Sequence, residues 1–218
     1  MDGYNIARAN MIDCQLRPNK VSDPVLLKAF MDIPREEFVK KEQVTLAYAD
    51  TTLEIGEGRV MMPPMFFGKL LQEIQITRDD VVLDIACGLG FGCAVLSKLA
   101  STVVGLESGS GLVEEGNALL SLIAADNAAI INGDVTRGVP EQGPYDVIII
   151  EGGVKEIPAS LSEQLSEGGR MGVFEILGNG SGQAVSYLKI GETLSRRVLF
   201  DAILPVLNEF ESEESFVF

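Results

Sequence analysis

Val81-Val82-Leu83-Asp84-Ile85-Ala86-Cys87-Gly88-Leu89-Gly90-Phe91-Gly92 is the stretch that decides the fold. A β-branched apolar run ends in an acid, three glycines follow at alternate positions, and a helical pattern opens at Cys93-Ala94-Val95-Leu96. This reads as strand, tight turn and helix start. Glycine lacks a Cβ and tolerates positive φ, so such a turn lets a ligand approach the backbone closely. The helix start adds free N–H groups and the positive end of a dipole.

Two cofactor classes compete for the motif. A dinucleotide site reads G-x-G-x-x-G; Gly88 and Gly90 fit, but the third position is Cys93. NAD also gives no role to an acid four residues before the first glycine, where Asp84 stands. S-adenosylmethionine carries an α-ammonium and a sulfonium, so an acid beside the turn has a cation to hold. A second acid, Glu107, follows the run Thr102-Val103-Val104-Gly105-Leu106, at the spacing expected of a carboxylate that grips ribose hydroxyls from the tip of the next strand. The two acids favour S-adenosyl-L-methionine over NAD.

Composition narrows the rest. A chain of 218 residues with 46% hydrophobic residues has room for a substantial core and is read as one domain, 1–218, with 1–60 a helical and irregular cap and 61–218 the cofactor-binding core. The net charge of −15 provides no phosphate-tracking basic stripe, which argues against a nucleic-acid partner. No apolar run approaches a membrane span and the N-terminus is no signal peptide, so a cytoplasmic protein is expected. Histidine is absent, which removes Ser-His and Cys-His nucleophilic catalysis and the commonest metal ligand. Cys14, Cys87 and Cys93 form no C-x-x-C pair, and no metal is expected; Cys87 and Cys93 read as small packing residues around the turn.

Along the chain, helices are expected at Ala7–Leu16, from Asp23-Pro24 to Met31, near Ile33–Phe38, and from Met65 to Ile74. Ile55-Gly56-Glu57-Gly58 reads as a loop. From Val81, strands at 81–85, 102–106, 128–131, 145–150 and 170–174 alternate with helices near 91–99, 110–123 and 158–166, the signature of a parallel sheet with helices on both faces. Asp84, Glu107, Asp134 and Glu151 then fall on one sheet edge. After a flexible glycine-rich loop at Gly178–Gly182, the runs Ala184–Lys189 and Arg197–Leu204 predict an antiparallel edge. Glu209–Glu214 reads as solvated, with Phe216-Val217-Phe218 pinning the end as strand.

The chain resembles the protein-L-isoaspartate (D-aspartate) O-methyltransferase family along its length. Met11-Ile12-Asp13-Cys14-Gln15-Leu16 is similar to that family's opening helix, and Ile33-Pro34-Arg35-Glu36-Glu37-Phe38-Val39 to its V-P-R-x-x-F-V segment. Ala47-Tyr48-Ala49-Asp50, with Leu53 and Ile55-Gly56, resembles A-Y-x-D-x-x-L-x-I-G. Asp84–Gly90 matches the cofactor motif, and Pro144–Ile150, Glu156-Ile157-Pro158 and Gly168-Gly169-Arg170 resemble the fourth and fifth strand region. The resemblance implies a Rossmann-like methyltransferase fold, S-adenosylmethionine as cofactor, and carboxyl methylation of damaged aspartyl residues in a protein or peptide substrate. It places the cofactor turn on Asp84, Ala86, Cys87, Gly88 and Gly90, the ribose on Glu107 with Ser108, and the adenine beside Gly133, Asp134 and Val135.

The acceptor side departs from the pattern. Where the family reads T-I-S-A-P-H-M, this chain has Arg59-Val60-Met61-Met62-Pro63-Pro64-Met65, so the hydroxyl position is Met61 and the histidine position Pro64. Glu151-Gly152-Gly153 stands where a small or hydroxyl residue and alanines are usual. Met61 offers a carboxylate no useful hydrogen bond. Thr51, Thr52 and Glu151 are the remaining catalytic candidates, Glu151 as a base should the acceptor be neutral. The alternatives are a methyltransferase with another acceptor and a non-catalytic S-adenosylmethionine-binding module.

Overall fold

The computed structural model describes residues 3–211. In chain order the elements are α1 (Gly3–Met11), α2 (Pro24–Asp32), β1 (Leu53–Gly56), β2 (Arg59–Met61), α3 (Pro64–Ile74), β3 (Val81–Ile85), α4 (Phe91–Ser97), β4 (Thr102–Glu107), α5 (Ser110–Leu122), β5 (Ala128–Asn132), β6 (Tyr145–Val154), α6 (Ala159–Glu163), β7 (Leu165–Ile176), β8 (Gly182–Ile190) and β9 (Thr193–Asp201). Short 3-10 turns include Arg35–Phe38 and, near the end, Asn208–Phe210.

Local chemistry explains the helix starts. Asp23 accepts hydrogen bonds from the backbone N–H of Val25 (2.7 Å) and Leu26 (3.3 Å), with Pro24 opening α2, and the helix buries Leu26, Leu27, Ala29 and Phe30. α1 runs on into a wider turn at Ile12–Leu16, so the helix expected at 7–16 begins earlier.

The seven main strands lie in the order β5-β4-β3-β6-β7-β8-β9. β5 to β7 are parallel, and β8 and β9 add an antiparallel meander at one edge. The chain winds outward from β3 through β4 to β5, then returns to the other side of β3 with β6. That reversal opens a crevice at the carboxyl ends of β3 and β6, where open α/β sheets bind ligands. β3 and β6 are apolar on both faces, as central parallel strands must be. Alternate residues feed two cores: Val147 and Ile149 pack with the α1–α5 side, while Ile148 and Ile150 face Leu161 of α6 and the 133–142 segment. The α/β architecture with an antiparallel C-terminal edge is as expected. No helix among the described residues is long and apolar enough to cross a membrane.

Several expectations need correction. Ile55 and Gly56 close strand β1 of a β1–β2 hairpin that pairs Leu53 with Met61, and only Glu57 (φ 50°) and Gly58 (φ 74°), both left-handed, form its turn. The strands are too short for a period to declare itself. β6 continues past 150 to Val154 because the C-terminal segment pairs with it: Gly153 N–H donates to Pro205 O (2.8 Å) and Leu207 N–H to Gly153 O (2.9 Å). The helix expected to reach 166 stops at Glu163, since the Gln164 carbonyl already accepts from Tyr145 N–H (2.8 Å) and starts the β6–β7 ladder. The Gly178–Gly182 stretch forms the connection between β7 and β8, closed by Leu177 N–H on Ser181 O (2.8 Å). The last strand spans 193–201 rather than 197–204. Phe216-Val217-Phe218 lies outside the described residues.

Candidate cofactor site

The glycine turn leaves β3 with Ala86 (φ 56°), Gly88 (φ 55°) and Gly90 (φ 83°) all left-handed. Gly90 caps α4, whose Ala94 N–H donates to the Gly90 carbonyl (2.9 Å). A Cβ on Gly90 would sit 2.7 Å from Ile130 Cδ1, and one on Gly88 would collide with Ile55 of the hairpin, so both conformation and space call for glycine. Cys87 and Cys93 pack as expected: their sulfurs rest on Gly105 of β4, where a Cβ would lie 3.0 and 2.7 Å from them.

Beneath the turn, Asp84 and Glu151 meet. They stand on adjacent strands, with Asp84 in register with Ile149, and both are buried. A Cβ on Gly92 would collide with Glu151 Oε1 and lie 2.8 Å from Asp84 Oδ2, so both carboxyls bear on the same point at the start of α4. Asp84 Oδ2 accepts the Cys93 thiol (3.2 Å), whereas Asp84 Oδ1 and Glu151 Oε1 have no hydrogen-bond partner. Burial pushes Asp84 up to about 7, with the Glu107 charge adding to the rise. Burial and the Asp84 charge hold Glu151 well above the carboxylate range. Arg35 lies fully buried nearby, donating from Nε to Ala47 O (2.6 Å) and from Nη2 to Met62 O (2.7 Å), with its guanidinium 4.7 Å from the Phe91 ring centroid. Burial lowers its pKa to about 9 while Glu151 pulls it upward, and its Nη1 has no partner.

At the tip of β4, Glu107 is fully engaged. Oε2 accepts from Gly88 N–H (2.9 Å), and Oε1 from Ser108 N–H (2.6 Å) and Gly109 N–H (3.1 Å). Both oxygens also accept from Arg59 Nε (3.1 and 2.9 Å). Arg59 is 2% exposed, and its other nitrogens reach Ser108 Oγ (2.8 Å) and the Glu209 carboxylate (2.7 and 3.2 Å). Burial works against the Arg59 charge, but its bonds to Glu209 and Glu107 more than offset that and hold its pKa up. Glu209 was expected in a solvated tail; instead Arg59 and Ser108 bind it and lower its pKa despite partial burial.

The structure therefore gathers Asp84, Glu107 and Glu151 around the turn and leaves Asp134 exposed, bound by its own Thr136 (2.6 and 2.9 Å). Gly133 and Val135 sit beside it past β5, and Gly133 N–H reaches Glu107 O (3.0 Å). Met61 and Pro64 are buried, Thr51 is exposed, and Thr52 is half-buried at the start of β1. Among the described residues no group of three or more His, Cys, Asp or Glu is arranged to hold a metal ion. Sequence reasoning did not assign Arg59 a role. Its signal is a single charge followed by the apolar run Val60-Met61-Met62-Pro63-Pro64.

A doubly wound sheet with a glycine turn, an acid at the end of β3 and a second acid at the tip of β4 defines the Rossmann-like methyltransferase class. Within that class the chain belongs to the protein-L-isoaspartate(D-aspartate) O-methyltransferase (PCMT) family, whose pattern matches residues 7–197. It is 36% identical over 164 residues to protein-L-isoaspartate O-methyltransferase 1 of Geotalea uraniireducens (strain Rf4), covering 75% of each chain. It is 34% identical over 204 residues to protein-L-isoaspartate O-methyltransferase of Roseiflexus castenholzii, covering 92% of this chain and 91% of that one. A solved protein-L-isoaspartate O-methyltransferase superposes with a TM-score of 0.82 at 28% identity, over 92% of this chain and 65% of the other.

Proposed function

We propose that this chain transfers the methyl group of S-adenosylmethionine to a carboxylate of a protein or peptide, with the isoaspartyl carboxyl as acceptor. The observation that carries the reading is the pair of buried, unpartnered oxygens, Asp84 Oδ1 and Glu151 Oε1, at the β3–β6 crevice under a left-handed glycine turn. A cationic α-ammonium satisfies both oxygens, and an unpaired buried acceptor is otherwise costly. The residues fit this cofactor at its amino-acid end. At the ribose end they fit once Glu107 exchanges Arg59 for the ribose hydroxyls.

Asp84 and Glu151 would hold the ammonium, Ala86, Cys87, Gly88 and Gly90 would shape the turn, Glu107 and Ser108 would hold the ribose, and Gly133, Asp134 and Val135 would flank the adenine. The bound cofactor supplies a methyl group on a positively charged sulfur. A carboxylate acceptor is already a nucleophile, so the chain's task is alignment and exclusion of water, which needs no histidine. Met61 occupies the place of a hydroxyl donor, with Thr51 and Thr52 the nearest hydroxyls in sequence. The three free cysteines, one of them exposed, support a reducing compartment such as the cytoplasm.

Labelled-methyl transfer to isoaspartyl peptide, normal peptide and cell extract tests the reading, alongside calorimetry with S-adenosylmethionine, S-adenosylhomocysteine and NAD. Label on isoaspartyl peptide with heat from the first two supports it. Heat from NAD alone overturns it.

A further inference from the structure

We propose that Arg59 and Glu209 form a latch that competes with the cofactor's ribose for Glu107, so that the cofactor binds only when Arg59 withdraws. The inference rests on the reading above and concerns regulation of the same site.

A carboxylate offers about four acceptor positions. Those of Glu107 are taken by three backbone N–H groups, from Gly88, Ser108 and Gly109, by Arg59 Nε and, at 3.3 Å, by the Ser108 hydroxyl. The backbone donors belong to the turn and the start of α5 and stay with the fold. Arg59 is the exchangeable partner, because it arrives from β2, on a two-stranded hairpin outside the main sheet. The hairpin covers the rest of the edge as well: Ile55 lies against Gly88, and the Glu57 carboxylate lies against Gly109. What fastens it is the C-terminal turn. Glu209 takes both terminal nitrogens of Arg59 and the Ser108 hydroxyl, while Leu207 packs on Gly152 and Phe210 is buried. Glu209 itself remains about one-third exposed (29%), so solvent reaches the outer end of the latch.

Opening exchanges one set of charge-assisted bonds for another. Arg59 moves to solvent with or without Glu209, and the two hydroxyls of a ribose take its place on Glu107. The apparent affinity is then the intrinsic affinity scaled by the open fraction.

The test measures S-adenosylhomocysteine binding by calorimetry for the unmodified chain, Arg59→Thr and Glu209→Gln. Glu209→Gln changes a partly exposed side chain and guards against misfolding of the first variant. With an open fraction of about 10% or less, Arg59→Thr binds on the order of tenfold tighter or more, and Glu209→Gln shifts in the same direction by less. Hydrogen exchange supplies a second readout: adding S-adenosylhomocysteine to the unmodified chain speeds exchange at the Leu207 and Phe210 amides as the strap loosens. Equal affinity in all three proteins, or weaker binding by the variants, overturns the latch and leaves the cofactor reading standing. No binding by any of the three overturns both.

Discussion

Glu151 and Asp84, carried by neighbouring parallel strands, converge on the space where a Gly92 side chain would stand, and burial raises the pKa of both. Two carboxyls so close in a dry site cannot both ionise. This ties the chain's stability and its affinity for a cation to pH.

Stability should fall as pH rises. Both acids have folded-state pKa values raised above the ordinary carboxylate range, Asp84 to about 7 and Glu151 further. The native state therefore binds more protons than the unfolded one. The stabilisation is complete below about pH 4 and is lost as pH climbs through 7, with a slope of up to about 1.4 kcal/mol per pH unit for one proton. Thermal unfolding of the unmodified chain and Glu151→Gln between pH 5 and 8 checks this: the downward slope should be shallower in the variant. Parallel curves would show that the pair does not titrate in this range.

Cofactor affinity should run the other way. An ammonium prefers ionised carboxylates, so S-adenosylhomocysteine should bind more tightly at pH 7.5 than at pH 6, by at most about tenfold per unit for one proton released. Arg35, Cys87 and Cys93 lie beside the pair without supplying a second group that titrates downward there. Calorimetry in buffers of different ionisation heat would count the proton directly; a count of zero removes the pair from the ammonium site.

On the acceptor side, Met61 should make isoaspartyl methylation slow. An acceptor carboxylate that loses water without regaining a hydrogen bond costs about 1–3 kcal/mol per bond, and each 1.4 kcal/mol is about tenfold in rate. Met61→Ser should raise turnover on isoaspartyl peptide while S-adenosylhomocysteine binds as before. Fast transfer by the unmodified chain would assign the donor's task to Thr51 or Thr52.

Arg35 supports the site from behind. Arg35→Ala frees the Ala47 and Met62 carbonyls and removes a cation from the Phe91 face. Two unsatisfied buried acceptors at about 1–3 kcal/mol each predict a loss of about 3 kcal/mol or more in denaturant unfolding. A loss below about 1 kcal/mol would mean that water replaces the guanidinium.

Chelation should leave cofactor binding unchanged, because among the described residues no group of three or more His, Cys, Asp or Glu is arranged to hold a metal ion. Loss of binding in a strong chelator, restored by a divalent ion, would contradict this.

The sheet was legible because its signal is local and repeated. Val81–Ile85, Thr102–Glu107 and Ala128–Asn132 are apolar runs bounded by turn residues, and the glycine turn declares its own backbone. Asp84 and Glu107 could be placed from strand ends alone. The rest depended on contacts made across the chain. Glu209 looks like any acid in an acidic segment until Arg59 is known to face it, and Glu151-Gly152-Gly153 looks like a loop until Pro205 and Leu207 pair with it. Asp134 stands at a strand end as predicted, but its side chain turns to Thr136, a choice that strand counting does not foresee.

Arg59 and Glu209 are 150 positions apart in the chain. Closing so long a span has a large entropy cost unless the segments between have already folded and drawn the ends together. The parallel strands and the C-terminal meander must therefore form before this ion pair can. On unfolding, it can break while the sheet still stands. The chain thus acquires its native sheet with the ligand edge still uncovered, and the order in which its contacts form gives it an interval in which a small molecule can arrive before the last contact closes.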